Sequence, residues 1–152
     1  MLRKLLPLAV AVLVAAPLSP AMAEPAAKVG AGGTAAAAAG NRIVIQVNED
    51  DSKKWNAVLA NIRNIQAELG AKNVAIALVA IGPGLGMLTA DSLAANGVQD
   101  ALATGVEFVA CGNSMKAQHV AKDDLVNGVG VAKAGYVEIM RRQQHGWTYL
   151  HP

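Results

Sequence analysis

Residues 74–81 read VAIALVAI, eight consecutive apolar positions with no polar alternate. A strand with one wet face would alternate, so this run is expected to be covered on both sides, as the interior strand of a helix-flanked sheet is. Gly82-Pro83-Gly84 ends it, since proline and glycine break regular pairing. The chain must therefore supply helices enough to bury a sheet from above and below.

The rest of the sequence does so in alternation. Arg42–Val47 (RIVIQV) is β-branched and reads as a strand. Asn48-Glu49-Asp50-Asp51 follows with helix-capping and first-turn acids. Trp55, Val58, Leu59, Ile62, Ile65 and Leu69 then recur at steps of three and four, an amphipathic helix stopped by Gly70. Ser92–Thr104 reads as a helix with Asn96-Gly97 inside its pattern, and Val106–Ala110 as a strand. Asn113–Lys122 reads as a helix, Val129–Val131 as a short strand, Tyr136–Gln144 as a helix and Trp147–Leu150 as a last strand. Strand and helix alternating in this way make an α/β fold, a parallel sheet with right-handed crossovers and helices on both faces.

The N-terminus has a different character. Arg3 and Lys4 precede a short apolar stretch, Leu5 to Leu18, and Ala21-Met22-Ala23 has the small residues of a cleavage site. Residues 1–23 are thus expected to be a signal peptide, cleaved before Glu24, which places the protein in the periplasm or outside the cell with no stable membrane insertion afterwards. No Cys follows to carry a lipid anchor. Residues 24–40 contain eight Ala and four Gly and are expected to be a linker, with nothing large to bury. The domain is expected over 41–152. Removing Arg3 and Lys4 from 13 basic residues leaves 11, against 11 acidic residues. A formally neutral chain without a basic face argues against nucleic acid as a partner, and five aromatics are too few for a base-stacking platform.

One cysteine excludes an internal disulfide framework and a multi-thiolate zinc site. In a parallel sheet, ligands collect at the carboxyl ends of the strands. Four segments should meet there: Asn48–Asp51, Gly82–Leu88, Cys111–Met115 and Gly128–Gly135. Cys111 directly follows a strand and opens a helix. Unpaired N–H groups and the helix dipole would favour thiolate, with Lys116 adding charge and Gly112 allowing a sharp turn. Position alone leaves two readings open, nucleophilic sulfur or a small buried apolar side chain.

The segments Arg42–Asn48, Lys54-Trp55-Asn56, Ala80–Leu88 (AIGPGLGML), Phe108–Met115 (FVACGNSM), Gly135–Met140 and Gly146-Trp147 together resemble the DsrE/DsrF-like proteins, and in particular their exported branch. The resemblance covers nearly all of 41–152. It implies a three-layer α/β/α sandwich on a mostly parallel five-stranded sheet, and homo-oligomers, trimers or hexamers. It also implies a sulfur-relay role in which Cys111 carries sulfur as a persulfide, exchanged with a donor or acceptor protein. Gly112, Asn113 and Lys116 would then support the thiolate, and Gly82, Pro83, Gly84 and Met87 would wall its pocket. No cofactor is implied.

Other constellations in the sequence have plainer structural uses. Gly82-Pro83-Gly84-Leu85-Gly86 lacks the G-x-G-x-x-G spacing, and Pro83 removes a donor, so a tight structural turn is preferred to a nucleotide loop. Cys111, Met115 and His119 are spaced by four and would share a helix face, a soft donor set suited to Cu(I). A packing stripe is the commoner use of such spacing, and no metal is assigned. Asp50-Asp51 and Asp123-Asp124 are read as caps. Ser114 lacks a nucleophile-elbow motif, so no triad with His119 is assigned.

Overall fold

The computed structural model describes residues 40–152. The expected signal peptide and all but the last residue of the expected linker lie outside them. The apolar run forms β2 (Val74–Ala80), every residue of it buried. It stands at the centre of a five-stranded, all-parallel sheet. On one side it pairs with β1 (Asn41–Val47), from Asn41 opposite Val74 to Val47 opposite Ala80. On the other it pairs with β3 (Glu107–Cys111). The edges are β4 (Gly130–Ala132), beside β3, and β5 (Thr148–Leu150), beside β1, giving the order β4-β3-β2-β1-β5.

The pleat divides the strand residues between two cores. Ile45, Val47, Val74, Ile76, Leu78, Ala80, Phe108 and Ala110 face one way. They meet α1 (Ser52–Leu69) through Trp55, Val58, Leu59 and Ile62, and α2 (Ala95–Ala103) through Val98 and Ala101. Met115 of α3 (Gly112–Gln118) and the 3-10 segment Gly82–Leu88 complete this side. Val44, Val79, Ile81, Val109 and Cys111 face the other way, under α4 (Gly135–Gln144) with Ile139 at its centre. The sandwich is three-layered but lopsided.

Local chemistry accounts for the boundaries. Asp51 caps α1, its carboxylate accepting the N–H of Lys53 at 2.8 Å and of Lys54 at 3.2 Å. Gly97, an odd residue inside a helix, lets α2 lie close to α1: a Cβ there would sit 2.8 Å from Leu59 Cδ1. α2 starts three residues later than the pattern suggests, because Ser92 uses its hydroxyl to accept the Ala94 N–H in a preceding turn. α3 stops at Gln118 rather than running to Lys122. His119 turns left-handed at φ 56°, and the Val120 N–H closes on the Met115 carbonyl at 3.0 Å. A separate 3-10 turn, Lys122–Asp124, follows, with the Asp124 carboxylate accepting the Ala121 N–H at 2.7 Å. Among the described residues no helix is long and apolar enough to cross a membrane.

Candidate functional site

Cys111 is the last residue of β3, not the first residue beyond it. Its backbone pairs with Ala132 of β4, so the pleat sets its direction, onto the same face as Val109. That face belongs to α4. The helix that follows in sequence, α3, packs its Met115 into the opposite core. The N-terminus of α3 supplies the Asn113 and Ser114 N–H groups, among those the sequence places there. The start of α4 adds a donor that the sequence does not show. Gly135, its first residue, donates its N–H to Cys111 Sγ at 3.2 Å.

A glycine is needed at 135. A Cβ there would lie 2.7 Å from Ile81 Cγ1 and 3.1 Å from Cys111 Cβ. Gly112 serves a similar end, since a Cβ would lie 3.3 Å from the Ala132 carbonyl oxygen. The two strand-to-helix turns are also tied directly, the Asn113 N–H donating to the Lys133 carbonyl at 3.2 Å. The thiol therefore sits in a seam between the β3–α3 and β4–α4 turns.

Ser114 has a role at the sulfur that the sequence does not reveal. It is buried, and its hydroxyl oxygen accepts the Gly82 N–H at 2.7 Å. That N–H can only donate, so the hydroxyl proton is left free to donate to the Cys111 sulfur and favour its thiolate. Gly82 is held from its other side too, its carbonyl accepting from Gln118 Nε2 at 2.6 Å. Gly82 has φ +55°, a left-handed value that suits glycine. The signal in the sequence was the pairing of a hydroxyl three residues after the cysteine with a glycine at the end of the neighbouring strand.

These contacts set the thiol's acidity. Cys111 is 4% exposed, and burial pushes its pKa up. The hydrogen bonds from the Ser114 hydroxyl and from the N–H groups of Gly135, Ser114 and Asn113 outweigh burial, so the thiol lies below its ordinary value. Gly112 and Lys116 are not among the groups bonded to the sulfur, and Lys116 is exposed on α3.

The remaining site candidates take varied places. Gly84 presses on the end of β1, where a Cβ would lie 2.5 Å from the Val47 carbonyl oxygen. Pro83 is exposed. Met87 is fully buried in the larger core, across the sheet from the sulfur. Met115 is in that larger core as well, and His119 is exposed beyond the end of α3. Cys111, Met115 and His119 thus do not share a face. Among the described residues, no group of three or more His, Cys, Asp or Glu is placed to hold a metal ion. Trp147 packs against the smaller core with the Arg142 guanidinium 4.5 Å from its ring centre, and Tyr149 donates its hydroxyl to Gln46 at 3.0 Å.

The arrangement offers one buried thiol biased toward thiolate at the carboxyl edge of a parallel sheet. The sequence profile of the DsrE/DsrF-like family matches residues 34–152. Among solved structures, the chain is similar to MTH1491 of Methanobacterium thermoautotrophicum, a protein of unknown function, at 37% identity and a TM-score of 0.71, over 74% of this chain and 99% of that one. BT1422 of Bacteroides thetaiotaomicron, also of unknown function, shares the fold at 16% identity and a TM-score of 0.62, over 74% and 95%. The ychN protein of E. coli does so at 15% and 0.63, over 74% and 99%. A search of curated proteins gives no match.

Proposed function

We propose that this chain, which belongs to the DsrE/DsrF-like family, is an exported protein that binds or relays sulfur as a persulfide on Cys111. The observation that carries the reading is the set of donors around the sulfur, which lowers its pKa despite burial. A thiolate is the form that attacks sulfane sulfur. In the step proposed, the Cys111 thiolate attacks the outer sulfur of a persulfide or polysulfide. A new Sγ–S bond forms as the donor's S–S bond breaks, and the donor leaves as a thiolate or a shortened polysulfide anion. No outside oxidant is needed. Delivery to an acceptor thiol is the reverse exchange.

The chain's own residues do four things in this scheme. Ser114 and Gly135 hold the sulfur and disperse its negative charge. Gly82 fixes the hydroxyl of Ser114 so that its proton faces the sulfur. The pairing of Cys111 with Ala132 fixes the direction of the side chain. The closed seam limits loss of the persulfide to bulk water.

Export rests on Arg3, Lys4 and the Ala21-Met22-Ala23 site. N-terminal sequencing of protein recovered from a host's periplasm or medium tests it, with a start at Glu24 expected. Intact-mass measurement after exposure to polysulfide tests the carrier role. The expected result is a gain of one sulfur that a thiol reductant reverses and Cys111→Ser abolishes. A wild-type protein left unmodified by every sulfane donor overturns it. The 4% exposure of Cys111 favours a second reading, a non-catalytic oligomeric scaffold whose cysteine is structural. In that case the thiol reacts only after denaturation.

A further inference from the structure

Cys111 is 4% exposed, so a sulfur donor must pass whatever closes the seam. On the β2 side the wall is Ile81, the first residue beyond that strand and a member of the same small core as the cysteine. It is 8% exposed. The facing wall is Gly135. A Cβ there would lie 2.7 Å from Ile81 Cγ1, 3.1 Å from Ile81 Cδ1 and 3.1 Å from Cys111 Cβ. The end of the isoleucine, the bare backbone of the glycine and the carbon that bears the thiol therefore converge on one point.

The two walls differ in what can move. The backbone of Ile81 is pinned: its N–H donates to the Val47 carbonyl at 2.9 Å, and Gly82 after it is held by Ser114 and Gln118. Gly135 has no side chain and is tied to the sulfur through its N–H. The side chain of Ile81 can rotate without breaking a hydrogen bond, whereas parting Asn113 from the Lys133 carbonyl would break one. The lining is also uncharged where it meets the sulfur, being N–H groups and one hydroxyl. Segments 79–90, 108–115 and 128–135, which surround the thiol, carry one charged residue between them, Lys133. Such a lining accepts a sulfane sulfur and offers little that would read the group carrying it. An unbranched polysulfide is one sulfur wide along its length. A persulfide borne on glutathione or on a protein broadens at the α-carbon behind its sulfur.

We infer that Ile81 is the specificity-determining residue of the thiol, a side-chain gate that passes a linear polysulfide anion and holds back persulfides carried on glutathione or a protein. Its substrate rests on the persulfide reading; the gate rests on packing alone. In the step it serves, the Cys111 thiolate attacks the terminal sulfur of hydrogen polysulfide. The Sγ–S bond forms and the neighbouring S–S bond breaks. The electron pair of the broken bond leaves with a chain one sulfur shorter, which takes a proton from water, so no outside oxidant or reductant enters.

Intact-mass measurement of the purified full chain tests this, with sodium tetrasulfide and with glutathione persulfide as donors. Each loading rate is referred to that of the same chain unfolded in denaturant. On that scale the wild type prefers tetrasulfide by about ten- to a hundredfold, the rate equivalent of drawing one side chain of this size out of its packing. Ile81→Ala brings the two rates together. Ile81→Val does so in part and serves if the alanine variant folds poorly. In neither does the midpoint of iodoacetamide alkylation against pH rise, since the donors to the sulfur are untouched. Iodoacetamide against a bulky aromatic disulfide gives the same order in all three proteins with no sulfur carried. Refusal of both sulfur donors, with that order kept, overturns the persulfide reading and the substrate class; the gate itself stands. Equal loading from both donors by the wild type overturns the gate and leaves the persulfide reading standing. So does a preference unchanged in both Ile81 variants, which moves the entrance to the Asn113–Lys133 tie.

Discussion

The two faces of the sheet are built for different ends. One is thick: α1, α2 and the Gly82–Leu88 segment bury Ile62, Leu85, Met87, Leu88, Val98 and Phe108 almost completely against it. The other is thin, five buried residues of the sheet side closed by Ile139 of one helix. Cys111 belongs to the thin face, and its polar partners come from the turns at the carboxyl edge. Stability and chemistry are thereby separated. The thick core can hold the strands in register while the seam around the sulfur stays thin enough to open locally, as functional regions do when few apolar contacts close them.

The largest effect falls on the thick face. Phe108→Ala should cost about 3–5 kcal/mol in denaturant unfolding, while leaving the Cys111 titration in the folded protein unchanged. If it moves that titration as far as a change beside the sulfur does, the faces are not separable. Next comes Gly135→Ala, where the new Cβ meets Ile81 at 2.7 Å. Overpacking should cost about 1–3 kcal/mol, and a displaced α4 N–H should raise the thiol's pKa, read by alkylation against pH.

Ser114→Ala follows, at about 1–2 kcal/mol for leaving the Gly82 N–H without its acceptor. Its sharper signature is in pH. The folded thiol lies below its unfolded value. The thiolate's contribution to stability is therefore present above the unfolded pKa and lost as pH falls through the lowered one. Ser114→Ala should shrink that window by raising the folded value, and slow alkylation near neutral pH. The smallest effect is expected from Lys116→Gln: within about 0.5 kcal/mol of wild type, with the Cys111 titration unmoved, since Lys116 is exposed and does not bond to the sulfur. A clear upward shift would restore Lys116 to the site.

Much of the fold was legible because it rests on local pattern. The unbroken run Val74–Ile81 told of a covered central strand, and the Trp55–Leu69 periodicity of α1. The helix ends were less legible, since they turn on single contacts: the Ser92 hydroxyl at the start of α2 and the left-handed His119 at the end of α3. The site was legible in part. Cys111 and the segments around it could be placed at one sheet edge from topology. What the sequence hid was the face. One more residue in β3 puts the sulfur on the face covered by α4. A donor from Gly135, near Cys111 only through tertiary packing, then joins those from Asn113 and Ser114 in the first turn of α3.

The most direct test of the account is the rate at which Cys111 in the native protein reacts with a small alkylating reagent, followed across pH. The account predicts reaction without denaturation and a midpoint below that of an ordinary thiol, moved upward in Ser114→Ala. A thiol that reacts only once the protein is unfolded, or that titrates as a free cysteine does, would contradict it.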